Sequence, residues 1–226
     1  MTNWGNCGKF IAGTGFPKNQ QGFTNYEIPF YKVGSLKFSD SNGYIYDNSN
    51  TINENIRQDL KASLIPPNSV LFAKIGEAIR LNRRSLNSVP CCIDNNLVAF
   101  VSNSIFFKYA YYWSQTINLY DYARATTVPA IRKSDLENLI IPVPPLAEQK
   151  RIVAKLEKLM PLLERLDAAE KKRAALEKAF PNQLRKSILQ QAIQGKLSEQ
   201  LPTDGDARAL LREIQAEKLR IIAEKK

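Results

Sequence analysis

Aromatic residues run out almost completely at one point in this chain, and that break limits what it can fold into. Of 21 aromatic side chains in 226 residues, 20 precede position 147 and only Phe180 follows it. The remainder is rich in Leu, Ala, Glu, Lys, Arg and Gln, the strong helix formers. Large core-filling side chains are thus confined to the first part, and the second can offer only helices with one apolar face. The seam is Ile141-Pro142-Val143-Pro144-Pro145, which can continue neither a helix nor a central strand. Two units are predicted, residues 1–146 and 147–226. The fold class is α+β: a globular mixed α/β domain, then a long, possibly kinked, coiled-coil-type helix and a short C-terminal helix.

Within the first unit, strand formers bounded by turn residues predict strands over 26–33, 44–46, 69–75 and 96–101. Apolar spacing predicts helices near 52–62, 104–121 and 133–138. In the second unit Ile152, Leu156, Leu159, Leu163 and Leu166 follow the alternating steps of four and three of a heptad seam. That register fails at Glu170 and Arg173, and a second stripe, Leu176, Phe180, Leu184 and Ile188, runs at steps of four. Pro161 and Pro181 lie inside the pattern and are expected to kink or divide the helix. Unbroken from 146 to 193, it would be ~70 Å long. Gly195 closes it, and 207–222 reads as a second helix. So long a stripe cannot be buried by its own unit, which predicts pairing with another long helix, from a second copy or a partner protein.

The chain has no histidine, which removes His-based nucleophile activation, a His general base and His-ligated zinc. Its three cysteines, Cys7, Cys91 and Cys92, lack metal or disulfide spacing and read as buried, inert thiols of a reducing compartment. Gly8-Lys9-Phe10 and Gly195-Lys196-Leu197 lack the hydroxyl residue of a phosphate loop, and Gly13-Thr14-Gly15 reads as a turn. Carboxylates of the first unit are scattered singly. No catalytic residue and no metal ligand is therefore predicted. The opening MTNWGNCGKF is no signal peptide, and no apolar run approaches the ~20 residues of a membrane span. A soluble cytoplasmic chain is expected.

Thirty-two Lys+Arg against 22 Asp+Glu give a net charge of +10, which favours a polyanionic partner, nucleic acid first. Lys and Glu interleave along the helices as on solvated faces, so the DNA-contact candidates come from the first unit. Reading a duplex takes Lys and Arg for phosphates, and Asn, Gln, Arg, Ser and Thr for base edges. Lys18, Asn19 and Gln20 sit in a loop pinned by Pro17 and Gly22 and are the base-reading candidates. Arg80, Arg83 and Arg84, following Lys74, are the phosphate anchors. Lys32, then Arg124 with Thr126 and Thr127, and then Arg132 with Lys133 complete the set. On the residues alone three classes stay open: a non-catalytic DNA reader, an enzyme that cuts or modifies DNA by itself, and a coiled-coil DNA-binding regulator.

Thr126-Thr127-Val128-Pro129-Ala130-Ile131 and Ile141-Pro142-Val143-Pro144-Pro145-Leu146-Ala147-Glu148-Gln149 closely resemble the end of a target recognition domain. Such domains belong to the specificity subunits of type I restriction–modification systems. Leu184-Arg185-Lys186-Ser187-Ile188-Leu189-Gln190-Gln191-Ala192-Ile193-Gln194-Gly195-Lys196-Leu197 resembles the end of that family's spacer helix, and Asp94-Asn95-Asn96-Leu97 is a weaker echo. Full specificity subunits carry two recognition domains and two helical regions, where this chain has one of each. The resemblance implies a non-catalytic subunit that reads double-stranded DNA and docks methyltransferase subunits, with restriction subunits joining the assembly. S-adenosylmethionine would then belong to the methyltransferase subunits and no cofactor to this chain. Two copies would form a homodimer through the helices, reading an inverted repeat whose spacing the helix sets.

Overall fold

Short runs of aromatic and β-branched residues, cut by Gly, Pro and Asn turns, leave the first part of the chain with many brief strands. In the computed structural model, which describes residues 1–124 and 128–224, nine strands and six α-helices follow one another. They are β1 (Thr2–Asn3), β2 (Gly8–Ala12), β3 (Ile28–Tyr31), β4 (Thr51–Ile52), α1 (Glu54–Asp59), β5 (Val70–Ala73), α2 (Glu77–Arg80) and β6 (Arg84–Leu86). After these come β7 (Cys92–Ile93), β8 (Leu97–Ser102), α3 (Phe107–Gln115), α4 (Lys133–Glu137), β9 (Ile140–Ile141), α5 (Leu146–Ile193) and α6 (Ala207–Glu224).

The main sheet has the order β2-β8-β5-β6 and is antiparallel throughout. Leu97, Val98, Ala99 and Phe100 of β8 are all fully buried, as befits a central strand covered on both faces. Helix α3 packs against β5, β6 and β8. At the centre Trp4, fully buried, meets Phe10, Phe72 and Trp113 edge-on with ring centroids 4.8–5.2 Å apart. A three-stranded sheet, β4-β3-β7, carries a smaller core in which Ile28, Phe30, Ile52 and Cys92 pack with Ile56 and Leu60 of the α1 region. Cys91 faces the main core and its neighbour Cys92 the smaller one, as strand alternation requires. Burial pushes both thiols up, Cys92 to about 11, which keeps them protonated and unreactive. Strands β1 and β9 pair antiparallel, Thr2 opposite Ile141, and close the domain on itself.

The expected strand at 44–46 forms only isolated bridges, Ser39 to Ile45 and Tyr44 to Leu86. The expected division of the helix does not occur: α5 runs unbroken through Pro161 and Pro181 for 48 residues. Each proline leaves one carbonyl four residues back, at Glu157 or Glu177, without its helical partner, a loss that a helix lying at the surface tolerates. Compact units run over Met1–Leu162 and Leu163–Lys226, so the first takes in the opening turns of α5 beyond the proline seam. Gln149 and Val153 explain this, being buried at 1% and 2% exposure.

Candidate nucleic-acid interface

Register decides where the predicted contact residues go. Ala12 at the end of β2 pairs with Val98 near the start of β8, Ala73 at the end of β5 pairs with Leu97, and Phe72 pairs with Arg84 at the start of β6. Tyr31 at the end of β3 pairs with Ile93 at the end of β7. The loop 13–22, Lys32, the stretch 74–83 and the turn Asp94-Asn95-Asn96 therefore all emerge at the same end of the sheets. The distant segment around 130 is drawn to that end by a bridge from Ile75 to Ala130 and by Ile131 N–H donating to the Lys74 carbonyl (2.9 Å).

Lys18–Gln20 forms a 3-10 turn closed by Gln20 N–H on the Pro17 carbonyl (3.0 Å), with Lys18 and Asn19 exposed. The loop is anchored at several points. Phe16 stacks on Phe30 at 3.8 Å, Gln21 Nε2 donates to the Phe16 carbonyl (2.7 Å), and Gly22 N–H donates to Asn50 Oδ1 (3.0 Å). Lys32 reaches into it, Nζ donating to Gln21 Oε1 at 2.8 Å. Lys74 Nζ donates to the Asn95 carbonyl at 3.2 Å. Between these two lysines lies Asp94, whose carboxylate accepts from the Asn96 backbone N–H (3.0 Å). Burial raises the Asp94 pKa, against the pull of the Asn96 bonds and both lysines.

Gly13 explains how the loop lies so close. A Cβ built there would stand 1.9 Å from the Asp94 carbonyl oxygen and 2.6 Å from that of Ile93, both rigid backbone atoms. Gly13→Ala is expected to cost about 1–3 kcal/mol as overpacking forces the strands apart. Urea denaturation checks this, and an unchanged midpoint would contradict the contact.

Among the arginines, Arg80 lies 5.2 Å over the Tyr120 ring and Arg83 is half-buried in the turn before β6. Arg84 corrects the sequence expectation. It is 7% exposed, with Nε donating to the Asn82 carbonyl (3.3 Å) and Nη2 to that of Ile117 (2.9 Å), while Nη1 has no partner. Burial brings its pKa down to about 10. It holds the segment after α3 and presents no surface to a phosphate. Arg124 is exposed but engaged, its guanidinium gripping Asp135 through Nε (3.1 Å) and Nη2 (2.6 Å). That contact holds the Asp135 carboxyl below its usual range. Arg132 is exposed, and Lys133 pairs with Glu137 at 3.3 Å. Thr126 and Thr127 lie outside the described residues. Asn50 and the turn Asp94-Asn95-Asn96, which the sequence reading does not include among the candidates, share this end of the sheets, and the run of turn-forming polar residues at 94–96 is the signal that points there.

On α5 the predicted pairing stripe divides. Leu159, Leu163, Leu166, Leu176, Phe180, Leu184 and Ile188 are exposed, Phe180 by 60%, whereas Ile152 packs against the domain core and Leu156 is half-buried. Gln149 fastens the start of the helix: its Oε1 accepts from the Phe106 N–H and its Nε2 donates to the Pro144 carbonyl, each at 2.8 Å. Tyr109 Oη donates to the neighbouring Pro142 carbonyl at 2.8 Å. Among the described residues, no cluster of three or more metal-ligating side chains is present, and no helix is long and apolar enough to cross a membrane.

Residues 7–178 match the family described as type I restriction modification DNA specificity domain. The chain is 27% identical over 194 residues to the type I restriction enzyme MjaIX specificity subunit of Methanocaldococcus jannaschii, covering 84% of this chain and 42% of that protein. It is 29% identical over 130 residues to the EcoDI specificity subunit of Escherichia coli, covering 52% of this chain and 28% of that one. This chain thus spans less than half the length of these relatives. In fold it is similar to the HsdS subunit from Thermoanaerobacter tengcongensis, with a TM-score of 0.56 at 24% identity over 86% of this chain and 44% of that one. Since the family match runs through the loops 13–22 and 74–83, the Pro-Pro-Leu-Ala-Glu-Gln seam and well into α5, this protein belongs to the type I restriction–modification DNA specificity family.

Proposed function

We propose that this chain is the DNA-reading part of a type I restriction–modification assembly, directing methyltransferase and restriction subunits to their site without catalysing a reaction itself. The observation that carries this reading is the convergence of four separate segments, bearing Lys18, Lys32, Lys74, Arg80, Arg83 and Arg132, at one end of the sheets. Phosphates would be met by the lysines and arginines, and base edges by Asn19 and Gln20 on their anchored turn. S-adenosylmethionine belongs in this reading to the methyltransferase subunits, and this chain holds no cofactor. The exposed leucines of α5 support a second element of the proposal: two copies pair through antiparallel helices and read two half-sites related by a dyad.

A salt titration tests the DNA-reading element, using the full assembly and a duplex carrying the methylated motif found by sequencing host DNA. Lys74→Ala is expected to weaken binding for all sequences and to lower the slope of log K against log salt by about 1. Arg84→Met, which alters only the interior, should leave that slope unchanged. Equal slopes for Lys74→Ala and the parent chain would remove Lys74 from the interface. An assembly that methylates the same motif without this chain would overturn the proposal.

A further inference from the structure

Arg124 and Asp135 form a guanidinium–carboxylate pair with one donor edge left over. Arg124 Nε and Nη2 donate to the two Asp135 oxygens at 3.1 and 2.6 Å. A guanidinium carries five N–H groups in a rigid fork, so this grip uses only one side of it. One N–H on Nη1 and one on Nη2 remain side by side on the adjoining edge, and Nη1 bonds to no described residue. We infer that Arg124 reads a guanine in the major groove, donating from that edge to O6 and N7, with Asp135 as its positioning residue. The inference rests on the proposed DNA-reading function and assigns it one base pair, G·C.

The pair is built from its foot upward. The Asp135 side chain is 16% exposed against 53% for that of Arg124, and its Oδ2 also accepts from the Arg132 N–H at 3.1 Å. The Arg124 backbone is held as well, its N–H donating to the Ala130 carbonyl at 3.0 Å. Ala130 bridges to Ile75, and Gly76 N–H donates to the Pro129 carbonyl at 2.8 Å. These bonds fix Arg124 to the end of the sheets where the other contact candidates emerge. A guanidinium held at its backbone and along one edge loses little freedom on binding, which favours a directional contact. Arg57 shows the contrast. It grips Glu54 through the same Nε and Nη2 atoms, but its Nη1 donates to the Ala62 carbonyl at 2.9 Å, so its outer edge is already occupied.

Charge separates a base edge from a phosphate as the ligand. Asp135 cancels the formal charge of Arg124, and Asp121 lines the same depression of about 420 Å³, together with Tyr122 and Asn138. A phosphate seated on Arg124 would stand beside two carboxylates, whereas the guanine edge is neutral and presents two acceptors. Lysine is no substitute here, since an ammonium is a point charge that cannot hold a carboxylate and two acceptors in one plane.

Binding of the full assembly to the motif found by sequencing host DNA tests this. Each guanine of the duplex is replaced in turn by 7-deazaguanine, which keeps base pairing and removes the N7 acceptor. At one position the replacement is expected to weaken binding about 5- to 150-fold. Arg124→Lys should abolish the penalty there and leave those at other guanines unchanged. Asp135→Asn, which releases the guanidinium and adds one positive charge, should shrink the same penalty and tighten binding to unrelated duplexes. Thermal melting verifies that both variants fold, and either one decides where the other does not. A penalty that survives the substitutions, or an Arg124→Lys loss equal for all sequences, overturns the inference and leaves DNA reading intact. So does a motif without a G·C pair, or one in which no guanine carries a penalty. An assembly with no preference for its motif over unrelated duplexes overturns the DNA-reading function itself.

Discussion

Trp4→Ala is expected to lower the unfolding free energy by about 3–5 kcal/mol, the range for removing a large buried aromatic. The indole is wholly buried and touches Phe10, Phe72, Phe100 and Trp113, which come from β2, β5, β8 and α3. Truncation would leave a cavity that no single neighbour can fill without moving a strand. Trp4→Phe sharpens the result, because the indole Nε1 has no hydrogen-bond partner and its loss leaves no acceptor unsatisfied. The phenylalanine variant should therefore retain most of the stability lost by alanine. Denaturant midpoints for both variants would check this, and equal losses would mean that ring packing is not what Trp4 supplies.

A second large effect is expected for Gln149→Leu. The substitution conserves size but strips both partners from one buried amide, leaving the Phe106 N–H and the Pro144 carbonyl unsatisfied. Each buried unsatisfied group costs about 1–3 kcal/mol, so a loss of about 2–5 kcal/mol follows. Gln149→Glu is informative beside it, since a carboxylate keeps the acceptor for Phe106 but cannot donate to Pro144. Hydrogen exchange should report faster opening around Phe106 and the first turns of α5 in the leucine variant. Unchanged protection there would contradict the role of Gln149 as the fastening of the helix to the domain.

Much of this architecture was legible before any coordinate. The long helix announced itself through its leucine periodicity, α4 and the ends of α6 followed from apolar spacing and turn residues, and β5 and β8 from continuous runs such as Leu97-Val98-Ala99-Phe100. The misses have physical causes. Gly8-Lys9-Phe10-Ile11-Ala12 lacks the composition of a strand and becomes one because β8 supplies a full edge of hydrogen bonds. Tyr44 to Tyr46 has that composition yet forms only single bridges, since it meets the open edge of β6 at Leu86 alone. Pro161 and Pro181 argued for a broken helix, but a helix lying at the surface tolerates a missing bond. Arg84 sits in the basic stretch Arg80-Leu81-Asn82-Arg83-Arg84 that reads as surface, and only its pairing opposite Phe72, with α3 packed against the same sheet, turns it inward. Of the candidate site, residue types and loops were visible. Their gathering at one end of the sheets was not, because it depends on strand order and register.

The antiparallel pairing of β1 with β9 bears on how force would enter this domain. Thr2 lies opposite Ile141 and Asn3 opposite Ile140, just before α5 sets out at Leu146. A pull along the helix therefore loads this two-stranded ladder before it reaches the main sheet.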